Sequence, residues 1–104
     1  MNDFLKNEIS QDLFLGGQLS IFQPLTGYRA ATDPVLLAAA CPAKSSDEVI
    51  ELGCGVGTAS FCIFRRIRVS LTGLEIQENY ANLAIENGLL NKIPIHVEIG
   101  DFRK

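Results

Sequence analysis

The stretch Val49-Ile50-Glu51-Leu52-Gly53-Cys54-Gly55-Val56-Gly57-Thr58 restricts the fold more than any other part of the chain. Glu48 to Leu52, rich in Val and Ile, reads as a short strand. Three glycines at alternate positions then turn the chain sharply, and Thr58 to Arg66 reads as a helix with Ala59, Cys62 and Ile63 on one face. Gly53 allows the turn, Gly55 lets another group approach the backbone, and Gly57 lets the helix pack close. A second strand is expected over Val69 to Glu75, and a second helix over Gln77 to Asn87 with Gly88 as its C-terminal cap. A third strand is expected over Ile95 to Ile99. Alternation of strand and helix means crossover connections and a parallel α/β sheet. Ile95, Val97 and Ile99 alternate with His96 and Glu98, the pattern of an edge strand with one wet face.

The residues before this unit read as a lead-in. Leu13 to Phe22 holds two short apolar runs around Gly16-Gly17, which predicts a β-hairpin. Gln23 to Thr32 is a loop around Pro24 and Gly27. Asp33 is an N-cap, Pro34 suits the first helical position, Val35 to Ala40 continues the helix, and Pro42 stops it. The polar stretch from Ala43 to Asp47 is a connecting loop. We therefore expect one domain over residues 1–104, with a lead-in over 1–42 and a strand–helix–strand–helix–strand core over 43–104.

Composition narrows the function classes. With 47% hydrophobic and 20% charged residues, the chain has a globular rather than a disordered composition. The longest apolar run, Val35 to Cys41, is seven residues, against roughly 20 for a membrane span. Acids at Asp3, Glu8 and Asp12 do not suit a secretory leader. Cysteines at 41, 54 and 62 cannot all pair, and their spacings of 13 and 8 match no zinc pattern. No metal site is expected, and the cytoplasm is the simplest location. A net charge of −3 provides no global basic field for nucleic acid.

Glu75 lies eighteen residues after Gly57, at the end of the next parallel strand. That position falls beside the glycine loop, where a carboxylate can accept hydrogen bonds from ribose hydroxyls. Alone, the glycines would mark an ordinary tight strand–helix connection. With the flanking strand, helix and distal acid they point to a nucleoside. The spacing is G-x-G-x-G rather than G-x-G-x-x-G, with Thr58 at the sixth position. Glu51 adds a carboxylate at the loop mouth, which would repel a pyrophosphate and suit a cationic ligand. S-adenosylmethionine, with its sulfonium and ammonium groups, fits that chemistry.

Glu51-x-Gly53-x-Gly55-x-Gly57 resembles the first motif of the Rossmann-like S-adenosylmethionine-dependent methyltransferases. Gly73-Leu74-Glu75-Ile76 resembles their second motif, and Gly100-Asp101 their third. Upstream, Gly17 to Gln23 and Gly27-Tyr28-Arg29-Ala30-Ala31-Thr32-Asp33-Pro34-Val35-Leu36-Leu37-Ala38-Ala39 are similar to the lead-in of the bacterial tRNA adenine-N6 methyltransferase group. The resemblance spans about residues 13 to 103. It implies a partial Rossmann-like sheet of three core strands, S-adenosylmethionine as cofactor, and tRNA as the substrate of the full enzyme. It further implies that Asp101 reaches the adenine amino group and that the Thr32-Asp33 helix start helps close the cofactor pocket. The family's Asn-Pro-Pro-aromatic substrate motif does not occur in these 104 residues. The expected identity is thus the cofactor-binding part of a methyltransferase, with no catalytic residue assigned.

Other candidates carry two readings each. Asp101 is a ligand-side acid or a solvated one. Phe102 covers the adenine or frays with the terminus. Arg29 and Asp33 pair with each other, or one contacts the methionine end of the cofactor. Cys54 borders the cofactor loop at a helix N-terminus, where thiol pKa tends to fall, but no partner for catalysis is nearby in sequence. His96 reads as solvated. Arg65, Arg66 and Arg68 either serve a helix C-terminus or touch RNA phosphates. Val49 to Leu52 is expected at an open sheet edge that a second copy of the chain, or a partner chain, would cover. Two rival functions stand beside the main one: a nicotinamide-dinucleotide domain, and a non-catalytic remnant or interaction module.

Overall fold

The computed structural model describes residues 8–25 and 37–101. Two strands, β1 (Ile9–Phe14) and β2 (Leu19–Pro24), form an antiparallel hairpin. Its turn, Leu15–Gly17, has positive φ at all three residues. The hairpin is longer than its apolar runs predict. Ser10 and Asp12 lie on the same side of β1 as Phe14, and they are satisfied by hydrogen bonds rather than by apolar contact. Ser10 donates to Asp12 (2.7 Å), and the fully buried Gln23 amide donates to Asp12 (2.8 Å). Polar residues partnered in this way extend a strand without any apolar signature.

Residues 37–40 are helical, and the helix ends before Pro42 as expected. Asp33 and Pro34 lie outside the described residues.

The core unit follows the predicted order: β3 (Glu48–Leu52), α1 (Thr58–Arg66), β4 (Ser70–Glu75), α2 (Glu78–Asn91) and β5 (His96–Ile99). The three strands are parallel in the order β3-β4-β5. Val49, Glu51, Leu71, Gly73 and Val97 share the face toward the helices, and Ile50, Leu52, Thr72, Leu74, His96 and Glu98 share the other. Among the described residues both β3 and β5 are edges, and His96 and Glu98 are exposed and paired at 3.0 Å.

Gly88 is not the cap of α2. The helix continues to Asn91, and Lys92 takes the left-handed cap position with φ +57. Gly88 instead permits close approach: a Cβ there would stand 3.0 Å from the Ile93 carbonyl and 3.0 Å from the Ile95 side chain. The residue needed for packing the returning chain thus imitates a helix stop in the sequence.

The hairpin docks on the helices. Leu19 and Ile21 are fully buried with Phe61 and Leu83 in one apolar core. Asn87 and Asn91 on α2 grip the open edge of β2. The Phe22 N–H donates to Asn87 Oδ1 (2.7 Å), and Asn87 Nδ2 donates to Phe22 O (3.0 Å). Ser20 makes the same reciprocal pair with Asn91, at 2.9 and 2.6 Å. Two residues of strand rise about 6.6 Å and four of helix about 6.0 Å, so the spacings match.

Candidate functional site

The glycine loop, Gly53 to Gly57, connects β3 to α1 at the carboxyl ends of the strands. Gly53 and Cys54 both donate backbone hydrogen bonds to Leu74 O, at 2.7 and 3.1 Å, which ties the loop to the end of β4. Gly57 caps α1 with φ +94, and a Cβ there would meet the Phe61 ring at 2.5 Å. It is therefore required both by conformation and by the close fit of the buried Phe61. Gly53 and Gly55 have positive φ with open space where a side chain would stand. The loop's outer face is accessible to a ligand at those two positions.

Glu75 is nearly buried at the end of β4, and both of its oxygens reach the loop region. Oε1 accepts from Gly55 N–H at 2.7 Å, and Oε2 accepts from Gln77 N–H at 3.0 Å. Gln77 is the N-cap residue of α2, so one carboxylate joins the glycine loop to the start of the next helix. A carboxylate has about four acceptor sites, so two remain for other donors.

Glu51 points to α1, where it accepts from Ser60 Oγ at 2.5 Å. Burial raises its pKa above the ordinary 4.5, the Ser60 bonds oppose the rise, and the Glu75 charge adds to it. Cys54 corrects an expectation. Its thiol is pushed up to about 12 by burial and by the charges of Glu51 and Glu75. A helix N-terminus contributes only about half a positive charge, and two carboxylates with desolvation outweigh it. The thiol is inert rather than activated.

The structure thus brings together Glu51, Gly53, Cys54, Gly55, Gly57 and Glu75. Ile76 follows Glu75 and is half exposed. The Gly100 N–H donates to Glu75 O at 3.0 Å, which sets the exposed Asp101 beside the same strand ends. Arg29, Thr32, Asp33 and Phe102 lie outside the described residues. No group of three or more metal-ligating side chains occurs among the described residues.

Four contributors were not legible as such. Ser60 holds Glu51, and Gln77 meets Glu75. Asn87 Nδ2 also donates to Val56 O at 2.9 Å, bracing the loop from α2. Gly73 makes room for Cys54, whose sulfur would be 2.6 Å from a Cβ there. Only Gly73 carried a signal, as a glycine inside a central strand, which marks a close approach. Thr58 Oγ1, at the start of α1, is buried with no hydrogen-bond partner among the described residues.

The arginines do not act as one group. Arg65 donates to Gln18 O and Asn91 O, both at 3.0 Å. Arg66 donates to Ala38 O and Cys41 O. Arg68 stacks over the Phe64 ring, 5.0 Å from its centre.

No family model matches the chain. A curated tRNA1(Val) (adenine(37)-N6)-methyltransferase, found in two strains of Bacteroides fragilis, is 31% identical over 99 residues. That match covers 91% of this chain and 41% of the relative. This chain therefore spans less than half the length of the curated relatives it matches. Among solved structures, P. horikoshii TYW2 in complex with MeSAdo superposes with a TM-score of 0.79 at 17% identity, covering 97% of this chain and 39% of that one. A Pyrococcus abyssi tRNA (uracil-54, C5)-methyltransferase in complex with S-adenosyl-L-homocysteine gives 0.72 at 17% identity, covering 93% and 25%. At this identity these likenesses concern the fold alone. In sequence the chain is similar to part of a tRNA adenine-N6 methyltransferase, and in fold to methyltransferases solved with S-adenosyl-L-homocysteine or MeSAdo, the likeness expected of a Rossmann-like S-adenosylmethionine-dependent methyltransferase.

Proposed function

We propose that this chain binds S-adenosylmethionine over the glycine loop, as the cofactor-binding part of an enzyme that methylates adenine N6 in tRNA. The observation that carries the reading is the Glu75 carboxylate, buried against Gly55 with acceptor sites to spare. Gly53 and Gly55 leave open space above the backbone for a ligand. Glu75 would accept the ribose hydroxyls, and Asp101 the adenine amino group. Glu51 and Glu75 favour a cationic ligand over a pyrophosphate, which counts against a nicotinamide dinucleotide. When bound, S-adenosylmethionine supplies an electrophilic methyl on its sulfonium. The chain's own residues would orient it and keep its adenosine end fixed.

Calorimetric titration with S-adenosylhomocysteine tests the reading. Glu75→Ala is expected to weaken binding by about 1.5–3 kcal/mol, the loss of charged hydrogen bonds. Thermal unfolding measured alongside separates a lost contact from a lost loop. Equal affinity in wild type and variant, with both folded, would sink the assignment.

The open edge of β3 supports a second copy of the chain as partner. Ile50 and Leu52 are 61% and 74% exposed on a strand with one neighbour among the described residues. Such an edge recruits a pairing strand. Light scattering should report a dimer that Leu52→Lys weakens; a wild-type monomer at high concentration, with fast amide exchange over residues 49–52, argues against it. No helix among the described residues is long and apolar enough to cross a membrane. The three cysteines are free, which agrees with a reducing cytoplasm.

A further inference from the structure

At the end of the sheet away from the glycine loop lies a cleft of about 420 Å³ lined by Arg65, Arg68 and Lys92, with Ser46, Ser70 and Phe64. Six residues of β4 separate the two sites, about 17 Å of strand. Five lysines and arginines fall among the described residues, and three of them line this cleft. No carboxylate is in its lining. Asp47, next to Ser46 in sequence, accepts from the Lys44 N–H with its carboxylate at 2.8 Å. Glu48 lies opposite Ser70 on β3 but outside the lining.

The bland explanation is that these cations serve the C-terminal ends of α1 and α2. Arg65 does so, through the Asn91 carbonyl. Arg68 and Lys92 do not: their side chains make no hydrogen bond or ion pair among the described residues. Two helix ends contribute together about one negative charge, against three positive ones. The surplus is positive. Arg68 is also held in place, because its guanidinium lies over Phe64. A stacked guanidinium keeps its N–H edges available, the geometry that suits a phosphate. The hydroxyls of Ser46 and Ser70 add two donors without partners among the described residues.

We infer that this cleft binds backbone phosphates of an RNA strand. The anion part of the inference rests on the cleft alone. The choice of RNA rests on reading the chain as part of an RNA methyltransferase. It resolves a tension in the composition, since a chain of net charge −3 has no global attraction for RNA but can present a local one. The position also suits a large substrate, because an RNA gripped here leaves the glycine loop free.

The test is fluorescence anisotropy with a labelled tRNA transcript, between about 50 and 200 mM salt. Wild type should bind, and the paired substitution Arg68→Gln with Lys92→Gln should lower affinity about tenfold at low salt and make the salt dependence shallower by one to two phosphate equivalents. Ser70→Asp, which puts an acid into the cleft, should weaken binding as much or more. Lys44→Gln removes the same charge outside the lining and should change little. Inorganic phosphate is titrated separately. Failure of wild type to bind the transcript, equal binding by the paired variant, or capture of inorganic phosphate without RNA overturns the inference. S-adenosylhomocysteine binding by the same samples is the independent readout. Its loss in wild type would refute the cofactor reading while leaving the cleft result intact.

Discussion

Glu51 lies where a parallel strand ends and the next helix closes over it. Burial raises its carboxyl pKa above 4.5, and the hydroxyl of Ser60 only partly offsets this. The folded state therefore holds the Glu51 proton more tightly than the unfolded state. Its contribution to stability is fully present below pH 4.5 and is lost as pH rises through the folded value. Glu51→Gln keeps an acceptor for Ser60 and removes the titration. Urea unfolding should show wild type losing stability above pH 4.5 relative to the variant, with the variant at least as stable at neutral pH. A gap independent of pH across that window would contradict the burial argument. A cationic ligand acts with the opposite sign. It favours the charged carboxylate, so affinity for S-adenosylmethionine should rise with pH in the same window. S-adenosylhomocysteine, which lacks the sulfonium, should show less of this rise.

Two asparagines on α2 join the elements. Asn87 makes three hydrogen bonds to backbone, two on Phe22 and one on Val56, so it connects the hairpin to the glycine loop. Asn87→Ala leaves a buried N–H and two carbonyls without these partners. A loss of about 2–4 kcal/mol in urea unfolding is expected, given roughly 1–3 kcal/mol for each unsatisfied buried group and partial relaxation. Amide exchange at Phe22 should quicken first; unchanged stability would show that the hairpin docks without help from Asn87. The same residues mark where the sequence stopped being readable. The bounds of β3 and α1 were legible, because Val, Ile and glycine spacing report burial and turns directly. So was the meeting of Glu75 with the loop, which follows from parallel topology. The start of β1 was not legible, nor was the end of α2. Ser10, Asp12, Gln23, Asn87 and Asn91 are held by hydrogen bonds, and apolar periodicity carries no record of polar groups that pair with each other. Gly88 misled for a different reason: glycine marks both a cap and a close contact, and local sequence does not separate the two.

At the scale of the whole molecule, methyl transfer needs two reactants held in line. Such positioning is worth about 7–11 kcal/mol of barrier. On the proposed reading, the described residues would hold one of the two reactants, through the glycine loop, Glu75 and the brace from Asn87. The 104 residues contain no Asn-Pro-Pro-aromatic segment to accept hydrogen bonds from an adenine amino group and stack on its ring. An extruded base needs both kinds of contact. The curated relative extends well beyond the region matched, since this chain covers 41% of its length. The expected outcome is that the 104 residues, purified alone, bind cofactor without turnover. A labelled-methyl assay with unmodified tRNA checks it, run with S-adenosylhomocysteine calorimetry on the same preparation. Binding with no methyl incorporation would agree with a chain that positions one reactant. Steady incorporation would mean that a substrate site exists within these residues, and the open strand ends beside Asp101 would be the first place to look for it.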